Sequence, residues 1–425
     1  MICLGSRITV GEKKMISREE MARLLKTGGK EGLNCIAELD QAALEQVGAA
    51  GSLPLSGIPV LVKDNIDVRG LHTTAGSLAL EDNIAEADAP IIRNLRRSGA
   101  VPIGKTNMTE FANYVTKGMP GGYSSRGGQV IHAVDPKLSV SGSSSGSAVA
   151  VAAGIVPMAV GTDTSFSVIA CAMFNGICGL KPPVGVLSAE GIIPIARTLD
   201  SAGPMARSFS DALKLYSAMR DEPLPAPAPS DPGKLRLAVN RANEETVSAS
   251  WMEFLKRFLD HMKAAGAEVS EVTQPPDPAL MTIMQWEFRP MLEDYLSKSA
   301  ASRKTLAEIV DYYESHPAAM MKYGNTLLRA ALDETPGGLQ GKPYLEAMES
   351  RQKAILRIRE EISGKDAVIM TGPTHIMHLC GLPSVTVASS EKDENGVSRC
   401  LIMYGADEMK LYSAALAIED VLRRI

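Results

Sequence analysis

Short runs of consecutive apolar residues alternate with stretches of helical periodicity along the first half of the chain. Residues 58–62 (IPVLV) form a continuous apolar run, which is the pattern of a strand buried on both faces. Residues 89–97 follow with the spacing of an amphipathic helix, and residues 100–104 form another short apolar run. This alternation of strands and helices predicts an α/β fold with a largely parallel central sheet.

The pattern changes in the second half of the chain. Residues 223–232 contain five prolines in ten positions and predict a surface connector. Residues 279–360 are predicted to be almost wholly helical, with an interruption near Gly337 and Gly338. The remaining predicted elements are strands at 235–239, 267–272, 367–370 and 384–388, and helices at 208–219, 247–265 and 410–422.

The N-terminal region is also predicted to be helical over residues 17–48, because residues 34–47 have helical apolar spacing. The first 15 residues contain no apolar stretch long enough for a secretory signal. The longest apolar run, residues 148–160, is interrupted by Gly154 and Pro157 and is too short to span a bilayer. A cytoplasmic protein without membrane contact is therefore expected.

Composition narrows the possible partners and cofactors. The 425 residues include 44 basic and 49 acidic side chains, giving a net charge of −5. The basic residues form no cluster along the sequence, so a nucleic-acid partner is not expected. The six cysteines show no CxxC pairing, so neither a zinc site nor a disulfide framework is indicated. No metal and no cofactor are expected, and whether the chain forms a homodimer is left open. Length alone would suggest two or three domains.

Residues 99–106 (GAVPIGKT) match the phosphate-loop pattern GxxxxGK[ST]. That motif works when a strand precedes a loop whose free backbone amides surround the phosphate. Here a helix precedes the motif, and its interior is a predicted strand that contains Pro102, which has no amide hydrogen. The context therefore argues against a nucleotide site.

Residues 142–146 (GSSSG) match the GxSxG nucleophile elbow, which requires a preceding buried strand and a downstream acid and histidine. The preceding segment is a poor strand. His261 and His316 lie in helical or charged surroundings, which leaves His375 and His378 as candidate partners. A serine–histidine triad is accordingly disfavoured.

A lysine is the other side chain able to activate a serine here. Lys63 ends the apolar run of residues 58–62, and desolvation lowers a lysine pKa and favours the neutral amine that accepts protons. Asp64 would oppose this shift if it pointed inward. A lysine that caps the strand in solvent is the alternative.

Two loops rich in serine and glycine, residues 141–147 and 161–167, flank an apolar element and can meet in one concave site. Together with Lys63 in GIPVLVKDN, their order and spacing resemble the amidase signature family. The likeness continues through CGLKPPVGVLS, residues 200–207 (DSAGPMAR) and residues 381–387 (GLPSVTV), so it extends over nearly the whole chain.

The resemblance implies a single α/β/α domain over residues 1–425, with a central mixed, mostly parallel sheet of about eleven strands covered by helices. This overrules the expectation of several domains. The catalytic core is expected at about residues 57–207, and the helical stretch 279–360 is expected to form a variable substrate-pocket region.

The resemblance also implies a Ser-cisSer-Lys triad. Lys63 is the expected base, Ser143 the bridging serine with a cis peptide bond, and Ser167, 24 residues further on, the nucleophile. Ser144 is expected to support the lysine by hydrogen bonding, and Asp163 is expected to brace the second loop.

Two positions depart from the family pattern. Ser165 and Phe166 stand where the family usually has glycines, so Phe166 either adopts the same backbone geometry or reshapes the oxyanion hole. Ile169 and Ala170 stand where many members carry an arginine, which favours a neutral substrate. The implied oxyanion hole consists of the backbone amides of Thr164, Ser165, Phe166 and Ser167, and the candidate substrate contacts are Met119, Gly121, Phe166 and Ala170.

Residues 122–130, 191–207 and 305–324 resemble peptide-amidase-like members of the family. The implied function is a serine amidohydrolase acting on a small neutral linear carboxamide, such as a peptide C-terminal amide, through an acyl-enzyme. Two alternatives remain open: the glutaminase component of a tRNA-dependent amidotransferase, and a ligand-binding homologue with impaired catalysis.

Overall fold

The computed structural model describes residues 18–424, so residues 1–17, with the predicted helix start at residue 17, lie outside the described part. The strands are β1 (Ile36–Leu39), β2 (Pro59–Lys63), β3 (Val101–Thr106), β4 (Tyr123–Ser124), β5 (Gly128–Gln129), β6 (Met158–Asp163), β7 (Cys178–Lys181), β8 (Ser201–Ala206), β9 (Arg236–Asn240), β10 (Glu268–Val272), β11 (Ala367–Met370), β12 (Ser384–Lys392) and β13 (Ser398–Tyr404). The α-helices are α1 (Arg18–Gly28), α2 (Gln41–Leu44), α3 (Pro90–Arg97), α4 (Ser145–Ala152), α5 (Ile169–Phe174), α6 (Phe209–Met219), α7 (Ala249–Ala265), α8 (Ala279–Lys298), α9 (Leu306–Ser315), α10 (Pro317–Met320), α11 (Thr326–Asp333), α12 (Lys342–Glu361), α13 (Ile376–Leu379) and α14 (Glu408–Leu422).

Eleven of these strands form one mixed sheet in the order β1-β3-β2-β6-β8-β7-β12-β13-β11-β9-β10, while β4 and β5 pair separately. This confirms the predicted α/β class and the eleven-stranded central sheet. Parallel pairing joins β3, β2 and β6 and also β10, β9 and β11, whereas the other neighbours are antiparallel. Parallel pairing is thus less extensive than expected. β6 and β8 pair antiparallel, yet every residue of both strands is buried. An apolar run in the sequence therefore indicates a strand that is covered on both faces and does not indicate its direction.

Helices cover both faces of the sheet. Val60 and Val62 of β2 pack in one cluster with α3, α6, α7 and α14, whereas Leu61 between them packs with α4 and α5. This alternation is the expected consequence of the two-residue period of a strand. Helices α8, α9, α11 and α12 belong to a further cluster with alternate residues of β11, such as Val368 and Met370. The long helical stretch predicted after residue 279 is therefore packed against the sheet.

The helix predicted over residues 34–47 is wrong in its first part. Residues Ile36–Leu39 form the edge strand β1, which pairs antiparallel with β3. The helix begins only after Asp40, whose side chain accepts hydrogen bonds from the amides of Ala42 and Ala43. Pairing with a distant strand overrides local helical spacing here, because it satisfies backbone groups that would otherwise remain exposed at the sheet edge.

The phosphate-loop motif forms part of the core, in agreement with the sequence prediction. Its interior is strand β3, and Lys105 is fully buried. The Lys105 ammonium donates to the backbone carbonyls of Ile66 (2.6 Å) and His72 (2.8 Å). A lysine held in this way cannot reach a phosphate group.

No helix within residues 18–424 is both long enough and apolar enough to cross a bilayer. Within the same residues, no cluster of three or more His, Cys, Asp and Glu side chains is arranged to hold a metal ion. The five cysteines of this region are free and buried.

Candidate active site

Lys63 lies at the end of β2, the strand formed by the apolar run, and its side chain is fully buried. Its Nζ atom is 2.7 Å from Ser143 Oγ and 2.8 Å from Thr162 Oγ1, with the carbonyl oxygen of Thr162 at 3.3 Å. β2 and β6 are parallel neighbours, so the ends of these strands bring Lys63 and Thr162 together. The lysine is therefore an internal group bonded to hydroxyls.

Burial lowers the pKa of Lys63 from 10.5 to about 7, and the nearby Cys171, Asp163 and Asp200 oppose the shift only in part. Asp64, the residue that could have cancelled the effect, faces other cations, with oxygen atoms 3.8 Å from Lys105 Nζ and 3.8 Å from Arg126 Nη1. The neutral form of the Lys63 amine, which can accept a proton, is consequently favoured relative to that of a lysine in water.

The first serine loop presents Ser143 to the lysine. The Gly142–Ser143 peptide bond is cis. The backbone carbonyl of Ser143 accepts from the amide of Thr109 at 3.1 Å, and the Ser143 side chain is fully buried. The loop thus supplies Lys63 with one hydroxyl from a backbone that is hydrogen bonded to its neighbours.

The hydrogen bond expected from Ser144 to the lysine is not formed, which corrects that expectation. Ser144 Oγ donates to the carbonyl of Thr162 (3.0 Å) and accepts from the amide of the same residue (3.2 Å). It therefore fixes the strand end that carries Thr162, and the direct contact to Lys63 comes from Thr162. Because Ser144 is buried and bonded in this way, it is also unsuited to act as the nucleophile of a GxSxG elbow.

Ser167 lies between the end of β6 and the start of α5. Its carbonyl accepts from the amide of Ser144 at 3.3 Å, which places it beside the first serine loop. Asp163 Oδ2 accepts from the amides of Val168 (2.7 Å) and Ile169 (3.2 Å), a geometry consistent with its expected bracing role. No residue of the described region hydrogen bonds the Ser167 hydroxyl, so the contact from Ser143 to Ser167 that a proton relay needs is not made in this state. Such contacts often tighten only when substrate binds.

The loop residues before Ser167 contact two histidines. Phe166 has φ +72°, a left-handed conformation that glycine adopts without strain. Its amide donates to His378 Nε2 at 3.0 Å, and the Ser165 hydroxyl lies 2.7 Å from His375 Nδ1. Phe166 therefore adopts glycine-like backbone geometry, but one of the four amides proposed for the oxyanion hole already has a partner.

The candidate substrate contacts fall into two groups. Phe166 and Ala170 line a cavity of about 800 Å³. Met119 is instead packed in the helical core cluster, and Gly121 lies against the backbone of Ser141, where a Cβ atom would come within 2.5 Å of it. Further parts of the cavity wall come from α5 (Met173, Phe174), from Trp251, from the loop before β13 (Asp393, Glu394, Asn395), and from β13 itself (Ser398, Arg399, Cys400, Ile402).

Comparison with known proteins decides the family. The Amidase family model matches residues 29–384. The chain belongs to the amidase family. A probable amidase of Arabidopsis thaliana is 30% identical over 464 aligned residues, covering 97% of this chain and 88% of the plant protein. A glutamyl-tRNA(Gln) amidotransferase subunit of Deinococcus radiodurans is 38% identical over 263 residues, covering 57% of this chain and 54% of that protein.

Solved amidase structures share the fold. The native peptide amidase from Stenotrophomonas maltophilia matches with a TM-score of 0.85 and 30% identity, covering 95% of this chain and 93% of that one. An amidase family protein from Bacillus anthracis matches with a TM-score of 0.88 and 29% identity, covering 98% and 92% of the two chains. The family resemblance expected from the sequence is thus confirmed, and the protein is a hydrolase that acts on amide C–N bonds.

Sequence reasoning missed Thr162 and misjudged the histidines of this amidase. Thr162 could have been found, because parallel pairing of the apolar runs around Val62 and Val160 brings the ends of both strands together. His375 and His378 were considered only as partners of Ser144, whereas they lie against Ser165 and Phe166. No sequence spacing links α13 to this loop.

Proposed function

We propose that this amidase hydrolyses neutral linear carboxamides through an acyl-enzyme on Ser167, with Lys63 as the base acting through Ser143. The observation that carries the proposal is the buried Lys63 amine, 2.7 Å from Ser143 Oγ and with a pKa lowered to about 7. A lysine base needs both the low pKa and a hydroxyl to pass the proton.

The proposed reaction has two steps. Neutral Lys63 accepts the proton of Ser143, Ser143 accepts that of Ser167, and the Ser167 oxygen attacks the amide carbonyl carbon. Backbone amides of the loop stabilise the negative oxygen of the tetrahedral intermediate. The proton then returns through Ser143 to the leaving nitrogen, the C–N bond breaks, and water hydrolyses the ester on Ser167 by the same relay.

The substrate class is inferred from the wall of the cavity formed by Phe166 and α5, which adjoin Ser167 in the chain. Phe166, Ala170, Met173 and Phe174 form an apolar wall on and just before α5, whereas Asp393, Glu394 and Arg399 are charged residues elsewhere in the lining. At the two positions after Val168, Ile169 and Ala170 offer no cation to a substrate carboxylate. Cavities of this size hold a small organic molecule. An amide with an uncharged, largely apolar acyl group fits best, and the likeness to a peptide amidase makes uncharged peptide amides the first compounds to test.

The rate at which a small fluorophosphonate labels Ser167 is expected to rise with pH through about pH 7 and to level off above pH 8. The reason is that the Lys63 ammonium must lose its proton before it can accept one, and its pKa is lowered to about 7. Stopped labelling reactions analysed by intact-protein mass spectrometry give the rate.

Asp200 is the control for this profile, because burial raises its pKa to about 7 as well. Its oxygens accept from the Thr164 hydroxyl at 2.5 Å and from the amides of Ile195 and Ala196. Asp200→Asn should retain the inflection near pH 7. An inflection that disappears in Asp200→Asn, or a midpoint near pH 10 in the wild type, would contradict a neutral Lys63 base.

Filling the cavity should change substrate preference. Ala170→Trp is expected to lower the ratio of kcat/KM for an octanoyl over an acetyl anilide by about tenfold, because the indole occupies space needed by the long chain. Leu356→Trp, on the exposed face of α12, is the matched control and should leave the ratio unchanged. An unchanged ratio in Ala170→Trp would show that the acyl group binds elsewhere.

The alternative function is the glutaminase component of a tRNA-dependent amidotransferase, supported by the 38% identity to the amidotransferase protein of D. radiodurans. It predicts hydrolysis of free glutamine, whose charged ends need ionic partners, and the charged residues of the cavity lining are Asp393, Glu394 and Arg399. Glutamine turnover exceeding that of neutral amides would favour this alternative.

A ligand-binding homologue with impaired catalysis would instead show no labelling of Ser167 at any pH.

A further inference from the structure

Two histidines of one short segment contact the loop that precedes Ser167. His375 is the N-cap of α13 and His378 lies within that helix. The Phe166 ring packs edge-on against both imidazoles, with centroid distances of 4.9 Å to His375 and 4.6 Å to His378. The hydrogen bonds to the Ser165 hydroxyl and the Phe166 amide add a polar contact from each ring. We call His375 and His378 the histidine clamp.

The loop has a physical need for such support. Phe166 carries a Cβ atom but holds φ +72°, a conformation that is unfavourable for side chains and costs glycine nothing. Without external contacts, a Ser-Phe pair would be expected to leave this conformation more readily than a Gly-Gly pair. The aromatic and polar contacts of the histidine clamp act on these two residues and therefore oppose that change.

His378 also connects the clamp to the base of the loop. Its Nε2 atom lies 3.0 Å from Asp163 Oδ1 and 3.0 Å from the Phe166 amide nitrogen, and both side chains of the His378–Asp163 pair are fully buried. A single ring nitrogen serves one of these partners at a time, but both belong to the same loop. The hydrogen bond from the Phe166 amide is the one formed, and it ties the loop to α13, while Asp163 Oδ1 is buried without a hydrogen-bond partner among the described residues. Burial lowers the pKa of His378, although Asp163 opposes the shift and Lys181 adds to it, so a neutral ring is favoured.

We propose that His375 and His378 are positioning residues that hold Ser165 and Phe166 in the conformation in which the loop amides stabilise the oxyanion. This inference rests on the proposed function of Ser167. In this arrangement the Phe166 amide donates to His378, and the amides of the flanking loop residues are the ones that donate to the substrate oxygen. It compensates for the bulky residue at a position where the backbone requires glycine-like geometry.

A double-mutant cycle tests this inference. His375→Ala and His378→Leu are expected to lower the maximal rate of fluorophosphonate labelling, and kcat for an amide, by about 100-fold with KM changed by less than about threefold. In a Phe166→Gly background, the same substitutions should lower these rates by less than about threefold, because glycine reaches positive φ without the clamp. His378→Gln should retain much of the activity, since its amide lies near the position of Nε2 and can both accept from Phe166 and donate to Asp163.

The controls separate positioning from folding and from the proposed function itself. His261→Ala, at an exposed site on α7, should leave both rates unchanged, and unfolding temperatures identify any variant destabilised by the unpaired Asp163. If His378→Leu does not fold, His375→Ala alone tests the inference. This variant is expected to fold, because His375 is partly exposed and pairs with no buried charge. Equal losses in the wild-type and Phe166→Gly backgrounds, or no loss at all, would overturn the clamp alone. An unlabelled wild type would overturn the clamp and the proposed function together.

Discussion

Ser167→Ala is expected to lower amide turnover by on the order of 10⁵-fold, because no other hydroxyl at the site is free to form the acyl-enzyme. Ser143 Oγ is bonded to Lys63 and Ser144 Oγ is bonded to Thr162. The fold should not change, since no residue of the described region hydrogen bonds the Ser167 hydroxyl. Turnover of a neutral amide is measured beside intact mass after exposure to a fluorophosphonate. The wild type should gain one adduct and the variant none.

Ser188→Ala provides the comparison for this experiment. Ser188 is a loop serine whose hydroxyl accepts only from the amide of Glu190, so its loss should affect neither turnover nor labelling. Turnover that survives in Ser167→Ala, or an adduct located by peptide mapping on Ser143 or Ser144, would assign the nucleophile to the first serine loop and reject the proposed mechanism.

Lys63→Met is expected to lower turnover by on the order of 10⁴-fold, since it removes the proton acceptor and leaves Ser167 with water as its base. Its effect on stability should be small, because the cost of burying the amine disappears together with its hydrogen bonds. The unfolding temperature should therefore stay within a few degrees of the wild-type value. Steady-state kinetics and thermal unfolding measure the two quantities.

Lys105→Met is the matched variant on the neighbouring strand β3. Lys105 is equally buried, but its ammonium serves the carbonyls of Ile66 and His72 and lies near Asp64. Its removal leaves buried groups unpaired and should lower the free energy of unfolding by about 3–5 kcal/mol, while the molecules that remain folded stay active. If Lys63→Met were the destabilised variant and Lys105→Met the inactive one, the roles assigned to the two lysines would be reversed.

These two lysines also show why a motif match needs its structural context. Lys105 completes the letters of a phosphate loop, yet it is a core residue, because the motif interior is a strand without an open loop. Lys63 belongs to no short general motif, yet the apolar run before it predicted its burial, and burial lowers its pKa. In both cases, the pattern of neighbouring apolar residues was more informative than the identity of the lysine.

The sequence alone determined the fold class and the order of the candidate catalytic residues. The apolar runs predicted β2 and β11 closely, and the order of Lys63, the Ser143 loop and the Ser167 loop led to the family that the comparisons confirm. These features are local, because strand burial and loop composition depend on consecutive residues. The same local rules failed at residues 36–39, where pairing with β3 decides the conformation.

Only the tertiary structure decided where the side chains around the site point and which of them meet. It turned Asp64 away toward Lys105 and Arg126, so that the lowered pKa of Lys63 persists. It also brought His378, 212 residues away in the chain, to the amide of Phe166. These outcomes depend on packing between elements distant in sequence, and hydrogen bonds between such elements form only after the sheet and its covering helices have assembled.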